Sequence, residues 1–303
     1  MKRRIKVLAL VTAILASFAL ILSGCGAQNG GTTQDSSAQG TTVQSSDTQQ
    51  TTAETTESTA AKTKIVIATG GMPKPFSYVN DKNEIEGYDI DVVRAIFKEL
   101  PQYEISIEKT EFTSIFAGLD SDRYQIGANN FAMNDQRKEK YIYTKPIFKN
   151  QFVIAVAENR TDISSFKDLQ GKSTEVQPGV NYTTALENYN KAHSDNPVKL
   201  NYSKGEMIQV LQNVESGKYD FQVLDAPMLN TYIKDFGLKL KAISLSEEDT
   251  KLIGVPYSYL ILSKGQYGQQ LEKDINGALD KLIQDGTVGQ ISVKYFGGDF
   301  SPK

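Results

Sequence analysis

From residue 63 onward the apolar positions obey two periods in turn. Residues 64–69, KIVIAT, form an apolar run of strand length, 103–107 alternate apolar with polar, and 124–128 return to strand. Between these, Ile90, Val93, Ile96, Phe97 and Leu100 recur at helical spacing over 89–100, with Asp89 and Asp91 at the positive end, and 112–119 read as a shorter helix. A second cycle predicts strands at 151–157, 174–177, 199–202, 221–224 and 238–244, separated by helices at 165–169, 182–192, 207–216 and 226–236. A strand at 257–262 and helices at 267–285 and 288–295 complete the pattern. Strand and helix alternate throughout, so the class is α/β. Roughly 240 residues are long for one core, and no unit of about 20 to 50 residues repeats, so the two cycles read as two lobes rather than as turns of a solenoid.

The residues before this pattern follow another rule. Lys2, Arg3, Arg4 and Lys6 precede an apolar run at 7–22, shorter than the ~20 residues of a membrane-spanning helix. That arrangement predicts a secretory signal over 1–24. It ends in Leu22, Ser23, Gly24 and Cys25, which looks like a lipobox; the likeness implies that Cys25 is lipidated and becomes the mature N-terminus. Cys25 is the single cysteine, so no internal disulfide can form and the fold must rest on core packing. Residues 25–62 are mostly Ser, Thr, Gln, Gly and Ala. Such a segment cannot bury enough surface to offset its ordering entropy, and it reads as a flexible tether with a reach of roughly 30 to 35 Å.

The densest chemistry lies at 126–147, IGANNFAMNDQRKEKYIYTKPI. The pattern predicts a strand end at 126–128, a tight polar loop at 129–133 and one or two helical turns over 134–141 that begin at an Asn cap. Loop amides, a helix N-terminus and an inward-folded Arg137 would together grip a carboxylate. Taken alone, Arg137 also fits a solvated charge among Lys138, Glu139 and Lys140. Asp225 follows the strand at 221–224, where α/β sheets bind ligands, but with Pro227 in the next turn it also fits an ordinary helix cap.

This segment resembles the first-lobe motif of the polar amino-acid family of ABC-transporter solute-binding proteins. Two more stretches agree in order and spacing: KPFSYVNDKNEIEGYDIDVVRAIFKEL at 74–100 and DGTVGQISVKYFGGDFS at 285–301. The resemblance implies a two-lobed, type II periplasmic-binding-protein-like fold. Lobe one would comprise 63–150 and 251–303, and lobe two 151–250, with hinge crossings near 149–152 and 247–254. It further implies a cleft in which Arg137 holds the α-carboxylate of an amino acid, while Asp225 in the pattern 219–227, YDFQVLDAP, holds the α-ammonium. Asn130 and Ala132 from the loop, and Gly179, Val180 and Asn181 from the turn VQPGVNY, would contribute as well. The chain departs from many relatives in having no hydroxyl residue at 180–181, and in carrying Met72, Pro73, Lys74 and Pro75 where an aromatic often covers the ligand. Phe76, Phe131 and Met133 are expected as pocket walls, although each also fits a core position. Within the family the cystine-type receptors are the nearest likeness. There Lys74 would meet a second carboxylate at the rim, or else be a solvated turn lysine.

The partners so implied are an amino-acid ligand, a membrane permease and the membrane itself through the lipid on Cys25, with the receptor a monomer that needs no cofactor. An enzyme is disfavoured. The lone His193 cannot support a His-based triad or zinc cluster, and no phosphate-binding loop motif occurs. The alternatives on the same fold are a ligand-sensing receptor and a cyclohexadienyl-dehydratase-like enzyme, which needs only positioned carboxyl groups. Lys and Arg total 33 against 36 Asp and Glu, and no basic stripe stands out, which argues against nucleic acid.

Overall fold

The computed structural model describes residues 61–303. The expected signal, Cys25 and nearly all of the tether lie outside the described residues.

The chain opens with β1 (Thr63–Thr69), a small hairpin of β2 (Tyr78–Val79) and β3 (Ile85–Glu86), then α1 (Tyr88–Lys98), β4 (Tyr103–Lys109), α2 (Phe112–Asp120), β5 (Ile126–Ala132), α3 (Asp135–Lys140), β6 (Ile142–Tyr143) and β7 (Phe148–Lys149). The second cycle runs β8 (Phe152–Ala157), a 3-10 turn (Phe166–Leu169), β9 (Ser173–Val176), α4 (Asn181–Ala192), β10 (Lys199–Tyr202), α5 (Met207–Glu215), β11 (Gln222–Asp225), α6 (Ala226–Phe236), β12 (Leu240–Ser244) and α7 (Glu247–Ile253). Then come β13 (Tyr257–Leu262), α8 (Gly268–Gln284) and α9 (Thr287–Phe296).

The first lobe is a sheet in the order β4-β1-β5-β13-β6, with β7 also on β13. Its strands β4, β1 and β5 are parallel, whereas β13 enters antiparallel from the far end of the chain. The chain therefore leaves this lobe after β7 and returns in β13. In the second lobe β8 lies between β11 and β12, antiparallel to both, and β9 pairs with β10 in parallel. A backbone bond from Asp220 N to Ser173 O (2.8 Å) and a side-chain bond from Thr174 Oγ1 to Gln222 Oε1 (2.9 Å) tie β9 to the β11 side.

Burial follows the sequence periods. Strand β1 buries Ile65, Ile67 and Ala68, and α1 buries Ile90, Val92, Val93, Ile96 and Phe97 along one stripe. Helix α8 does the same with Leu271, Ile275, Leu279 and Leu282. An aromatic cluster joins the two halves of the first lobe: Phe76 meets Phe148 edge-on at 4.9 Å and Phe296 at 5.1 Å, and Tyr88 packs on both at 5.2 and 5.3 Å. Truncating such a ring typically costs about 3–5 kcal/mol.

Two boundaries differ from the sequence expectation. Strand β5 continues through 129–132, where a loop was expected, because β13 offers it a partner: Ser258 pairs with Ala132 and Tyr259 with Phe131, with a register shift before Ile261. Residues 247–253, expected as a crossing, form α7. Ser246 caps it by accepting from Asp249 N (3.0 Å), and Glu247, Glu248 and Asp249 sit at its positive end. Helix α7 lies against α4 of the second lobe. The return crossing is therefore 254–256, and it runs beside the outward one: Asn150 N donates to Pro256 O (2.9 Å), and Lys149 pairs with Tyr257. Gly254 has φ +129° here, a conformation closed to most other residues.

Candidate functional site

A cleft of about 830 Å³ lies between the lobes, lined by residues of both. That volume suits a small organic ligand.

Arg137 stands in the cleft wall. Asn134 caps α3 by accepting from Arg137 N (2.8 Å), which fixes the backbone and turns the side chain inward rather than toward the exposed Lys138 and Lys140. The residue is 8% exposed. Its guanidinium sits 4.9 Å from the centre of the Phe116 ring and 5.5 Å from that of Phe131. Nη1 donates to Ala132 O (2.9 Å) and Nη2 to Gly179 O of the other lobe (2.7 Å). Among the described residues no carboxylate lies within ion-pair range of it. Burial pulls its pKa below the usual arginine value. A buried guanidinium that has carbonyls and rings but no anion leaves a place for the carboxylate of a ligand.

Asp225 ends β11 and is the first residue before α6, yet its side chain does not cap that helix. The carboxylate is fully buried instead. Tyr182 donates its hydroxyl to Oδ2, Asn130 donates Nδ2 to the same oxygen (3.1 Å), and Oδ1 has no partner. Asn130 also bridges the other way: its backbone N donates to Asp89 Oδ2 (2.5 Å). It adopts φ +48°, unusual for a residue with a side chain, at the irregularity in β5. Asp89 is fully buried too, and Asp89 Oδ1, Asn130 Oδ1 and Asp225 Oδ1 are all without partners. Three buried acceptors thus lack a donor within the protein, two of them carboxylate oxygens, and both carboxyl groups sit behind the cleft lining rather than in it. Burial pushes the Asp89 carboxyl up to about 7, with the charge of Asp225 adding to the rise. Burial likewise pushes Asp225 up to about 6, against the hydrogen bonds from Tyr182 and Asn130 and the nearby Gln151 backbone N–H. Tyr182 is raised well above the usual phenol range, first by burial and then by Asp225.

The turn before α4 completes this wall. Gly179, with φ +79°, turns its carbonyl to Arg137, and Val180 and Asn181 line the cleft at the start of the helix. Asn130, Phe131 and Ala132 line it from β5. Phe131 stacks on Phe112 (5.7 Å) and meets Phe116 edge-on (5.5 Å), which makes an apolar floor beside the guanidinium.

Some expected residues lie elsewhere. Phe76 is not in the cleft wall: it is fully buried in the aromatic cluster, because the chain after Pro75 turns under α1 and Phe76 O accepts from Asp89 N (3.0 Å). Met133, at the end of β5, also lies outside the lining, and Asp225 sits behind Tyr182 rather than on the open surface. Lys74 does line the rim, but its Nζ pairs with Asp235 Oδ2 of the second lobe at 2.6 Å. With Asn130–Asp225 and Arg137–Gly179 this makes three polar links from lobe to lobe, so the cleft is closed. Sequence reasoning missed Tyr182 and Asp89 as parts of the site. Tyr182 sits in the same VQPGVNY turn as Gly179, and Asp89 reads as a helix-start acid, which conceals its second role beneath Asn130.

Comparison with known proteins identifies the family and the fold. The chain is 29% identical over 303 residues to the L-cystine-binding protein TcyA of Bacillus subtilis, covering 99% of this chain and 100% of that one. It is 29% identical over 238 residues to the L-cystine-binding protein TcyJ of the same organism, covering 78% and 85%. A solved structure from work on glutathione import via GshT and the cystine ABC importer TcyBC of Streptococcus mutans superposes with a TM-score of 0.74 at 40% identity, covering 80% of this chain and 98% of that one. The model of the bacterial extracellular solute-binding proteins, family 3, matches residues 65–298. With that match over most of its length, and with a first lobe completed by β13 after the chain has built the second, the chain belongs to that family.

Proposed function

We propose that this chain is the receptor of an ABC importer on the outer face of the membrane, and that it holds one amino acid by its two charged head groups and passes it to a permease. Arg137 takes the α-carboxylate. Asp225 and Asn130 take the α-ammonium, with Asp89 fixing Asn130 from below. The observation that carries the reading is that Arg137, buried in the cleft wall without an anion, faces across the lobes the carboxyl group of Asp225, which lies directly behind the cleft residues Asn130 and Tyr182 with Oδ1 unpartnered. Cystine is the proposed ligand, supported by the names of two relatives matched along most of their length. Glutathione is the second reading, favoured by the 40% identical structure from the glutathione-import work. The receptor acts as a monomer without cofactor. Its lobes meet at 150–151 and 254–256, and a lipid on Cys25 ties it to the membrane through the tether.

Mass spectrometry of the small molecules released when the purified protein is denatured, followed by titration calorimetry with cystine, glutathione and single amino acids, tests the ligand. Release of an amino acid or γ-glutamyl peptide and saturable binding are expected; no binding by any of them overturns the reading. For the anchor, Cys25→Ala should move the protein from the membrane fraction to the soluble one, and unchanged membrane retention would refute lipidation.

A further inference from the structure

The head-group residues occupy β5, α3, the end of β11 and the start of α4. The cleft does not stop there. It reaches into the second lobe between β9, the loop after β10 and α5, where Glu175, Ser203, Gly205, Met207, Val210 and Gln222 line it. A single amino acid gripped at Arg137 and Asp225 does not account for this branch.

Glu175 is its most informative member. The residue is 8% exposed, so its carboxylate is largely removed from water. Asn213, itself buried on α5, donates Nδ2 to Glu175 Oε2 at 2.7 Å, and Gln209 Nε2 reaches Asn213 Oδ1 at 3.5 Å, which orients the amide with its NH2 toward the carboxylate. Among the described residues no lysine, arginine or histidine lies within ion-pair range of Glu175. Oε1 lies beside Gly205, where a side chain would crowd it: a Cβ on Gly205 would come to 3.2 Å from this oxygen. One oxygen is thus held by a neutral donor, and the other borders a glycine in a cavity wall. A buried carboxylate with one neutral hydrogen bond and no counter-charge is poorly compensated, and a cation entering the branch would correct that. The branch also carries a cation for an accompanying anion: Lys204, next to Gly205, lines the cleft and is in no ion pair among the described residues.

We propose that Glu175 forms a second ammonium subsite, so that the ligand carries two amino-acid ends, one at Arg137 and Asp225 and the other at Glu175 with Lys204. The chemical class is a diamino dicarboxylic acid of the length of cystine, with its apolar middle against Met207 and Val210. This rests on the receptor function proposed above and goes beyond it in excluding glutathione as the preferred ligand, because glutathione has a single ammonium group and would leave Glu175 unanswered.

Titration calorimetry of the wild type and Glu175→Gln with cystine, S-methylcysteine and glutathione tests it. S-methylcysteine carries one amino-acid end only. Removing the charge that faces a desolvated ammonium should weaken cystine by about 30-fold or more, while S-methylcysteine and glutathione change by less than about threefold. Retained S-methylcysteine binding also shows that the variant is folded. Should Glu175→Gln fail to fold, Gly205→Val, which covers Oε1 without touching the head-group residues, should produce the same selective loss. Equal cystine affinity in variant and wild type overturns the proposal, as does an equal loss for all three ligands, or a wild type that prefers glutathione to cystine. A wild type that binds none of the three overturns the receptor reading itself.

Discussion

At the scale of single residues, the site is made of charges placed where water cannot answer them. Arg137 and Asp225 are each buried with neutral partners, so in the proposed roles removing either leaves the ligand head group it holds unpaired. Such losses run at about 2–5 kcal/mol, or roughly 30- to several-thousand-fold in affinity. Arg137→Ala and Asp225→Ala should each fall in that range by calorimetry, whereas Lys138→Ala, at an exposed position, should cost about 0–1 kcal/mol. Losses of equal size at Lys138 and Arg137 would contradict a ligand contact at Arg137. The carboxyl groups also set a pH dependence. Asp89 and Asp225 are raised to about 7 and about 6 from 3.8, so between those limits the folded protein binds more protons than the unfolded chain. Their contribution to stability is therefore fully present below about pH 4 and is lost as pH rises through 6 to 7. Urea midpoints of the ligand-free protein should fall as pH rises from about 4 to about 7, and Asp89→Asn should flatten that fall; an unaltered slope in the variant would count against it. Ligand binding should run the other way. Protons compete with the ammonium for Asp225, so affinity should weaken as pH drops through about 6. The positions of Arg137 and Asp225, at a capped turn and at a strand's carboxyl end, were legible in the sequence, while their proposed roles come from the family resemblance. Asp89 was not, because a helix-start acid and a buried support look alike in one dimension.

At the scale of elements, the apolar periods carried most of the fold, since strands such as β1 and helices such as α8 owe their form to one buried face. They failed where a partner far along the chain decides the outcome. Residues 129–132 are polar enough to suggest a loop, but β13 arrives from 257–262 to pair with them, and the irregularity this creates sets Asn130 at φ +48° between two aspartates. Helix α7 was hidden by its acidic first turn, which reads as linker until Ser246 is seen to cap it. Phe76 shows the same limit on side chains: its neighbours resemble a ligand loop, but the ring finds Phe148 and Phe296, residues that no local pattern connects to it. Phe76→Ala should therefore lower unfolding free energy by about 3–5 kcal/mol. Its ligand affinity, measured where the variant is still folded, should change by less than about 1 kcal/mol, because the ring faces the core and not the cleft. A large affinity loss without loss of stability would return Phe76 to the pocket.

At the scale of the whole molecule, two crossings that run side by side at 150–151 and 254–256 give the lobes a narrow connection, and the links Lys74–Asp235, Asn130–Asp225 and Arg137–Gly179 close them over the cleft. A ligand that contacts both walls favours this closed state in proportion to its extra affinity for it. Small-angle scattering should show a smaller radius of gyration with saturating ligand than without; the same radius in both would mean that closure is not linked to binding. The two-lobed plan itself was legible, because β/α alternation across some 240 residues exceeds one core and the three matched stretches fix which segments share a lobe. The proposed pairing of Arg137 with the ligand's α-carboxylate is tested most directly by calorimetry with the ligand and its carboxyl methyl ester, on wild type and Arg137→Ala. Esterification should weaken the wild type by about 2 kcal/mol or more and the variant by only a few tenths, because the contact is already gone. Equal ester penalties in the two proteins would show that Arg137 does not hold the carboxylate.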